Sequence, residues 1–122
     1  MPARVTIRTR TNADWARAFI YREKNSGPRI PLAVNGTPVV LKLNVRRTPE
    51  AAEAIAITSQ GAQGITITDH DLGAFAVRFT RAQLTMLGKG EFVHDLIGTW
   101  PDGHTETIWT GTLENEIGVT RT

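Results

Sequence analysis

Three histidines, twelve carboxylates and three tryptophans are the side chains whose types could do chemistry in this chain of 122 residues. Asp69-His70-Asp71 sets oxygen and nitrogen donors side by side, the ligand types of a calcium or zinc ion whose shell is completed from elsewhere. The tripeptide reads as a turn, where Asp and His side chains bond nearby backbone or face water, so a turn is expected and not a metal site. His94-Asp95 has the residue types of an acid-base pair. Successive strand residues point to opposite faces, however, so the two cannot converge on one serine. His94 shares its parity with Phe92 and Leu96 and is expected partly buried, as a neutral imidazole with one bonded nitrogen. Protonating it near the usual pKa of about 6.5 would then cost stability at low pH. His104 follows a turn and is expected in solvent.

Nucleophiles are scarce. Cysteine is absent, which excludes a disulfide framework, a thiolate nucleophile and a Cys-ligated zinc or iron-sulfur site. Serine occurs only at Ser26 and Ser59, in turns without a glycine-framed elbow. Gly88-Lys89-Gly90 is too short for a phosphate loop and enters a strand instead of a helix. The expectation is therefore a protein that is not an enzyme, with no catalytic, cofactor-binding or metal residues and no cofactor. A sugar-stacking platform is the remaining option, since tryptophan faces suit that role on a β-sandwich. Trp15 and Trp109 lie on packed parities, which leaves Trp100, beside Pro101, as the exposed candidate.

The net charge of +2 conceals a division along the chain. Residues 1 to 47 hold ten of the fourteen Lys and Arg, against only Asp14 and Glu23 of the twelve carboxylates. A basic half suggests nucleic acid, but in a sandwich early and late strands intermingle, so sequence blocks need not become surface patches. Nucleic acid is accordingly not the expected partner. No stretch approaches the roughly 20 apolar residues of a membrane helix, and MPARVTIRTR lacks the apolar middle of a secretory signal. The expectation is a single domain over residues 1 to 122, neither membrane-bound nor exported by a signal peptide, with 40% hydrophobic content to build its core.

The elements that must position these residues are mostly strands. Gly90 to Leu113 reads as two alternating runs joined at Pro101-Asp102-Gly103, a long hairpin. One parity holds Phe92, His94, Leu96, Gly98 and Trp100, and its counterpart Thr105, Thr107, Trp109, Gly111 and Leu113. Val5 to Arg10 is a first short run, and Asp14 to Glu23 a second, with Trp15, Phe19 and Tyr21 on one parity. Lys24 to Gly27 interrupts it, and Pro28 and Pro31 keep the next stretch irregular or at an edge. Asn35-Gly36 marks a turn before Val39 to Arg46, the clearest alternation in the chain and so a central strand or close to one. Thr48-Pro49-Glu50 could open one helical turn. Ala54 to Thr58 and Ile65 to Thr68 suit a second hairpin around Gln60-Gly61 and Gln63-Gly64. After a turn at Asp69 to Gly73, Phe75, Val77 and Phe79 alternate into Thr80-Arg81-Ala82-Gln83. That tetrapeptide is a capping box for one short helical turn near residues 80 to 87, with Leu84 and Leu87 facing inward. About seven strands with turns every eight to twelve residues predict an all-β, Ig-like antiparallel β-sandwich. Phe92 and His94 occupy the layout of a tyrosine corner without its hydroxyl.

The order of these pieces resembles small Ig-like β-sandwich proteins of tailed phages and prophages, the group related to the N-terminal domain of baseplate upper proteins. Asn12-Ala13-Asp14-Trp15, Gly27-Pro28-Arg29-Ile30-Pro31-Leu32 and Val39 to Arg46 look like the family's opening. Gly73 to Val77, Thr80 to Leu84, Gly90 to Leu96, Pro101-Asp102-Gly103 and Trp109 to Leu113 follow its later order of strand, turn, strand and hairpin. Phe92 and His94 stand where tyrosines are usual. The resemblance implies a non-enzymatic virion structural or assembly protein of the tail or head-tail region. Its partners would be other virion proteins or further copies of itself, and its location the virion or the bacterial cytoplasm during assembly. The alternative is a carbohydrate-binding module using Trp100.

Overall fold

Alternating β-branched and aromatic residues fold into strands wherever one face can be buried, and turn residues break the runs. The computed structural model describes residues 3–22 and 29–118. In chain order its strands are β1 (Ala3–Arg10), β2 (Trp15–Ile20), β3 (Ala33–Val34), β4 (Thr37–Pro38), β5 (Val40–Arg46) and β6 (Glu53–Thr58). A 3₁₀ turn at Gln60–Ala62 leads to β7 (Ile65–Asp69) and β8 (Ala74–Phe79), then helix α1 (Arg81–Leu87), β9 (Gly90–Thr99) and β10 (Thr105–Glu116). The protein is thus mostly β with a single α-helix among the described residues. Five strands form one sheet in the order β1-β10-β9-β5-β6, and three form another in the order β2-β8-β7. β3 and β4 make a small ladder of their own, turning through Asn35 (φ 50°) and Gly36 (φ 81°) as expected for an Asn-Gly hairpin.

Alternate residues of both sheets are buried in one core cluster. Leu41, Leu43 and Val45 of β5, Phe92 and Leu96 of β9 and Leu113 of β10 belong to it together with Phe75, Val77 and Phe79 of β8 and Ile65 of β7. Trp109 joins the layers most directly, its ring 4.5 Å from that of Phe19 on β2 and 5.8 Å from that of Phe75 on β8. β5 lies between β9 and β6, so the strand with the cleanest alternation is an interior one. At the other end of the core, Thr80 caps α1 through the expected reciprocal bonds with Gln83, and Leu84 and Leu87 face inward.

Four expectations are corrected. The pairing is not wholly antiparallel, because β1 runs parallel to β10 along its whole length. Gly111 makes that approach possible, since a Cβ there would run into the Val5 carbonyl oxygen. Ala54 to Thr58 and Ile65 to Thr68 are not a hairpin, for β6 pairs with β5 and β7 with β8. The chain changes sheets between them. Gly61 (φ 73°) and Ala62 (φ 54°) bend it out of the first sheet, and the Gly64 carbonyl then accepts from the Arg78 N–H of β8 at 2.7 Å. Thr48-Pro49-Glu50 closes a turn through Ala51 N–H to the Thr48 carbonyl at 3.1 Å and goes no further.

The fourth correction lies in the hairpin. β9 and β10 pair as expected, but the register slips between Thr107 and Trp109, so Ile108 is a bulge residue and both it and Trp109 are buried. Thr105 and Thr107 therefore fall off the parity of Trp109, Gly111 and Leu113 and are exposed. Glu106 instead lies opposite Gly98. The expected breaks at Lys24 to Gly27 and Pro28, and the end of the second run at Glu23, lie outside the described residues.

Candidate functional site

The sequence-derived candidates do not converge on one place. His94 is on β9 in the core, 4% exposed. Its Nδ1 accepts from Trp109 Nε1–H at 3.1 Å and its Nε2 meets the Thr112 carbonyl at 3.1 Å. A donor on one side and an acceptor on the other specify the neutral ring with its proton on Nε2. Burial pushes its pKa below the usual value, against the opposing pull of the Thr112 and Val5 carbonyls. A second proton would point Nδ1–H at the indole N–H and leave both donors without an acceptor. His94 thus serves as a fixed acceptor in the core. Asp95 lies on the opposite face of the sheet, bordering a shallow outer depression, so the two form no dyad.

Asp69-His70-Asp71 is the expected turn. Asp69 Oδ1 accepts from the backbone N–H groups of Asp71 and Leu72, both at 3.1 Å, and the His70 carbonyl accepts from Leu32 N–H at 2.8 Å. One oxygen of the Asp69 carboxylate is thus engaged in closing the loop. Among the described residues no three His, Asp or Glu side chains are grouped so as to hold a metal ion.

Trp100 sits at the tip of the β9–β10 hairpin, half-buried. His104 stacks on its ring at 5.1 Å and 15°, and Tyr21 is tilted against it at 6.4 Å. Gly98 leaves room for the indole, which lies against its Cα where a Cβ would clash. Around these rings stand two carboxylates. Asp102 bonds both the backbone N–H and the ring Nδ1 of His104, and those bonds hold its carboxyl below the usual range. Glu106 accepts from the Tyr21 hydroxyl at 3.5 Å and lies 3.8 Å from His104 Nε2. Partial burial, and then the Glu106 charge, raise the Tyr21 pKa. Alternation places neither Tyr21 nor Glu106 here. The adjacent pair Ile108-Trp109, two large apolar residues in an alternating strand, was the available sign of the bulge that turns Glu106 toward Trp100.

The remaining candidate is a surface. On the outer face of the five-stranded sheet charge is sorted by strand. Arg4, Arg8 and Arg10 project from β1, Glu114 and Glu116 from β10, Glu91 and Asp95 from β9, and Lys42 and Arg46 from β5. Opposite signs meet across the ladders, with Arg8 Nε 3.2 Å from Glu114 and Arg46 3.7 Å from Glu53. Among the described residues the arginines of β1 therefore stand beside the acidic β10. A depression of about 320 Å³ on this face is lined by Arg4, Asn44, Arg46, Asp95 and Thr110. At the margins, β1 and β6 are the edges of this sheet and β2 and β7 those of the other.

No protein-family model matches the chain, and no curated protein matches it.

Proposed function

We propose that the chain is an Ig-like β-sandwich and a non-enzymatic structural or assembly protein of a tailed phage or prophage virion, in the tail or head-tail region. The observation that carries this reading is the long edge strand β1 of the five-stranded sheet, combined with an outer face whose charges are laid out in rows. Edges offer backbone groups for joining chains, and rows of charge favour one docking register. The polar groups that would do chemistry elsewhere support it too, for His94 and Asp69 are engaged in holding the fold. The work would be done by surfaces, with other virion proteins or further copies as partners. Mass spectrometry of particles purified after prophage induction tests the reading. The protein is expected there in stoichiometric amount with known tail or head proteins, and its absence from the particles would refute the proposal.

A second reading rests on the Trp100 tip. Tyr21, Trp100, Asp102 and Glu106 bring aromatic faces and carboxylates together, the combination with which sandwich modules hold sugars. His104 covers part of the Trp100 ring and would have to swing away. Silence on a glycan array, with no change in Trp100 fluorescence, would remove this alternative.

A further inference from the structure

Among the described strands β1 is the longest edge strand of the two larger sheets, eight residues paired to β10 in unbroken register. No described strand lies on its other side, so alternate backbone N–H and C=O groups face outward, the template onto which a further strand adds. The side chains decide what can add. Arg4, Thr6, Arg8 and Arg10 are exposed on the outer face, whereas Ile7 and Thr9 are buried and Val5 half-buried on the inner one. On the inner flank of β1, Glu114 lies opposite Arg8 and Glu116 opposite Arg10. Among the described residues Arg4 and Arg10 form no ion pair, and the row of arginines continues to the free margin of the sheet.

A second copy is a poor occupant. The face-matched antiparallel self-pairings with the greatest overlap set Arg4 opposite Arg8 or opposite Arg10, and like charges directly across a ladder are destabilising. Nucleic acid fits little better, because Glu114 and Glu116 beside the row cancel part of its field. We propose that the β1 edge receives an extended segment of a partner protein in which carboxylates alternate with apolar residues. Its carboxylates continue the outer row opposite Arg4, Arg8 and Arg10, and its apolar residues extend the inner face past Val5 and Ile7. The inference rests on the assembly reading and names its surface and the chemistry of its partner.

The probe is a short capped peptide of alternating Glu and Val, titrated calorimetrically into the full chain. Its comparators are a Lys and Val peptide, the Glu and Val peptide N-methylated at every residue so that neither backbone edge can donate, and a single-stranded oligonucleotide. The Glu and Val peptide is expected to bind roughly tenfold tighter than the Lys and Val peptide, the sum of a few cross-strand charge pairs. Arg4→Glu with Arg10→Glu, both exposed, should reverse that preference while leaving the thermal transition cooperative. N-methylation should abolish binding, since strand addition needs those N–H groups and mere charge attraction does not. No binding of the Glu and Val peptide, equal binding of both peptides, indifference to N-methylation, or tighter binding of the oligonucleotide would each overturn the proposal. A peptide that fails to bind a protein found in virions removes the edge and leaves the assembly reading. Binding by a protein absent from virions does the reverse.

Discussion

The β9–β10 hairpin carries one tryptophan-histidine pair near its middle and another at its tip, and the two pairs do opposite things. Near its middle Trp109 meets His94 edge-on at 86° with an indole-to-imidazole hydrogen bond of 3.1 Å, inside the core. At its tip Trp100 lies flat under His104 at 15°, with Asp102 and Glu106 at the rim. Burial makes the difference. In the core an imidazole must satisfy both nitrogens within the protein and stays neutral, so it is a structural part with a fixed tautomer. At the tip the ring lies in water between Trp100 and two carboxylates, so the same residue types form a surface that a ligand could use.

The comparison can be broken most directly with the two tryptophans. Trp109→Ala should lower unfolding free energy by about 3–5 kcal/mol, since it removes the ring that joins the sheets. Urea denaturation measures this, and a loss below about 1 kcal/mol would mean that the core is organised elsewhere. Next in size is His94→Leu, which strands the Trp109 N–H and the Thr112 carbonyl and should cost about 1–3 kcal/mol.

The same variant sharpens the contrast in its pH dependence. Because burial holds the folded pKa of His94 below its unfolded value, the unfolded chain binds the extra proton first. That stability contribution is whole above about pH 6.5 and is lost as pH falls from there through the folded pKa. Asp14 and Asp102, whose pKa values are lowered from 3.8 by bonds to Arg81 and to His104, lose their contributions only at more acid pH. Wild type should therefore weaken between pH 7 and 5 in chemical denaturation, and His94→Leu should weaken less. Equal slopes would place the titrating group elsewhere.

At the tip the effects should be small. Trp100→Ala is expected to cost about 1 kcal/mol, because the ring is only half-buried over Gly98. His104→Ala should stay within about 0.5 kcal/mol and expose the Trp100 face, seen as a change in quenching by acrylamide. A His104→Ala loss as large as that of His94→Leu would erase the distinction between the two pairs.

Much of this arrangement was legible beforehand because it depends on local pattern. Phe75, Val77 and Phe79, the capping box at Thr80, the Asn35-Gly36 turn and the burial of His94 all follow from period-two alternation or from side-chain bonds a few residues away. What escaped involves partners distant in the chain. Ala54 to Thr58 and Ile65 to Thr68 look like neighbours in a hairpin, yet two left-handed residues at Gly61 and Ala62 send them to different sheets. Alternation says which face of a strand is buried and is silent on which strand lies beside it. The meeting of Tyr21 with Trp100 and Glu106 escaped for a related reason. One inserted residue at Ile108 reverses the parity of everything before it in β10.

By itself, then, the amino-acid order determined that the chain would be built of strands, which side of most of them would be hidden, and that no thiol chemistry was available. Tertiary structure alone decided that β1 would lie parallel to β10 as a free arginine-bearing edge, and that one tryptophan-histidine pair would be sealed while the other faced water. The reason is that side-chain periodicity acts over a few residues and costs nothing to read along the chain. Strand neighbours are chosen by long-range closure, where the burial of the whole core outweighs any local preference.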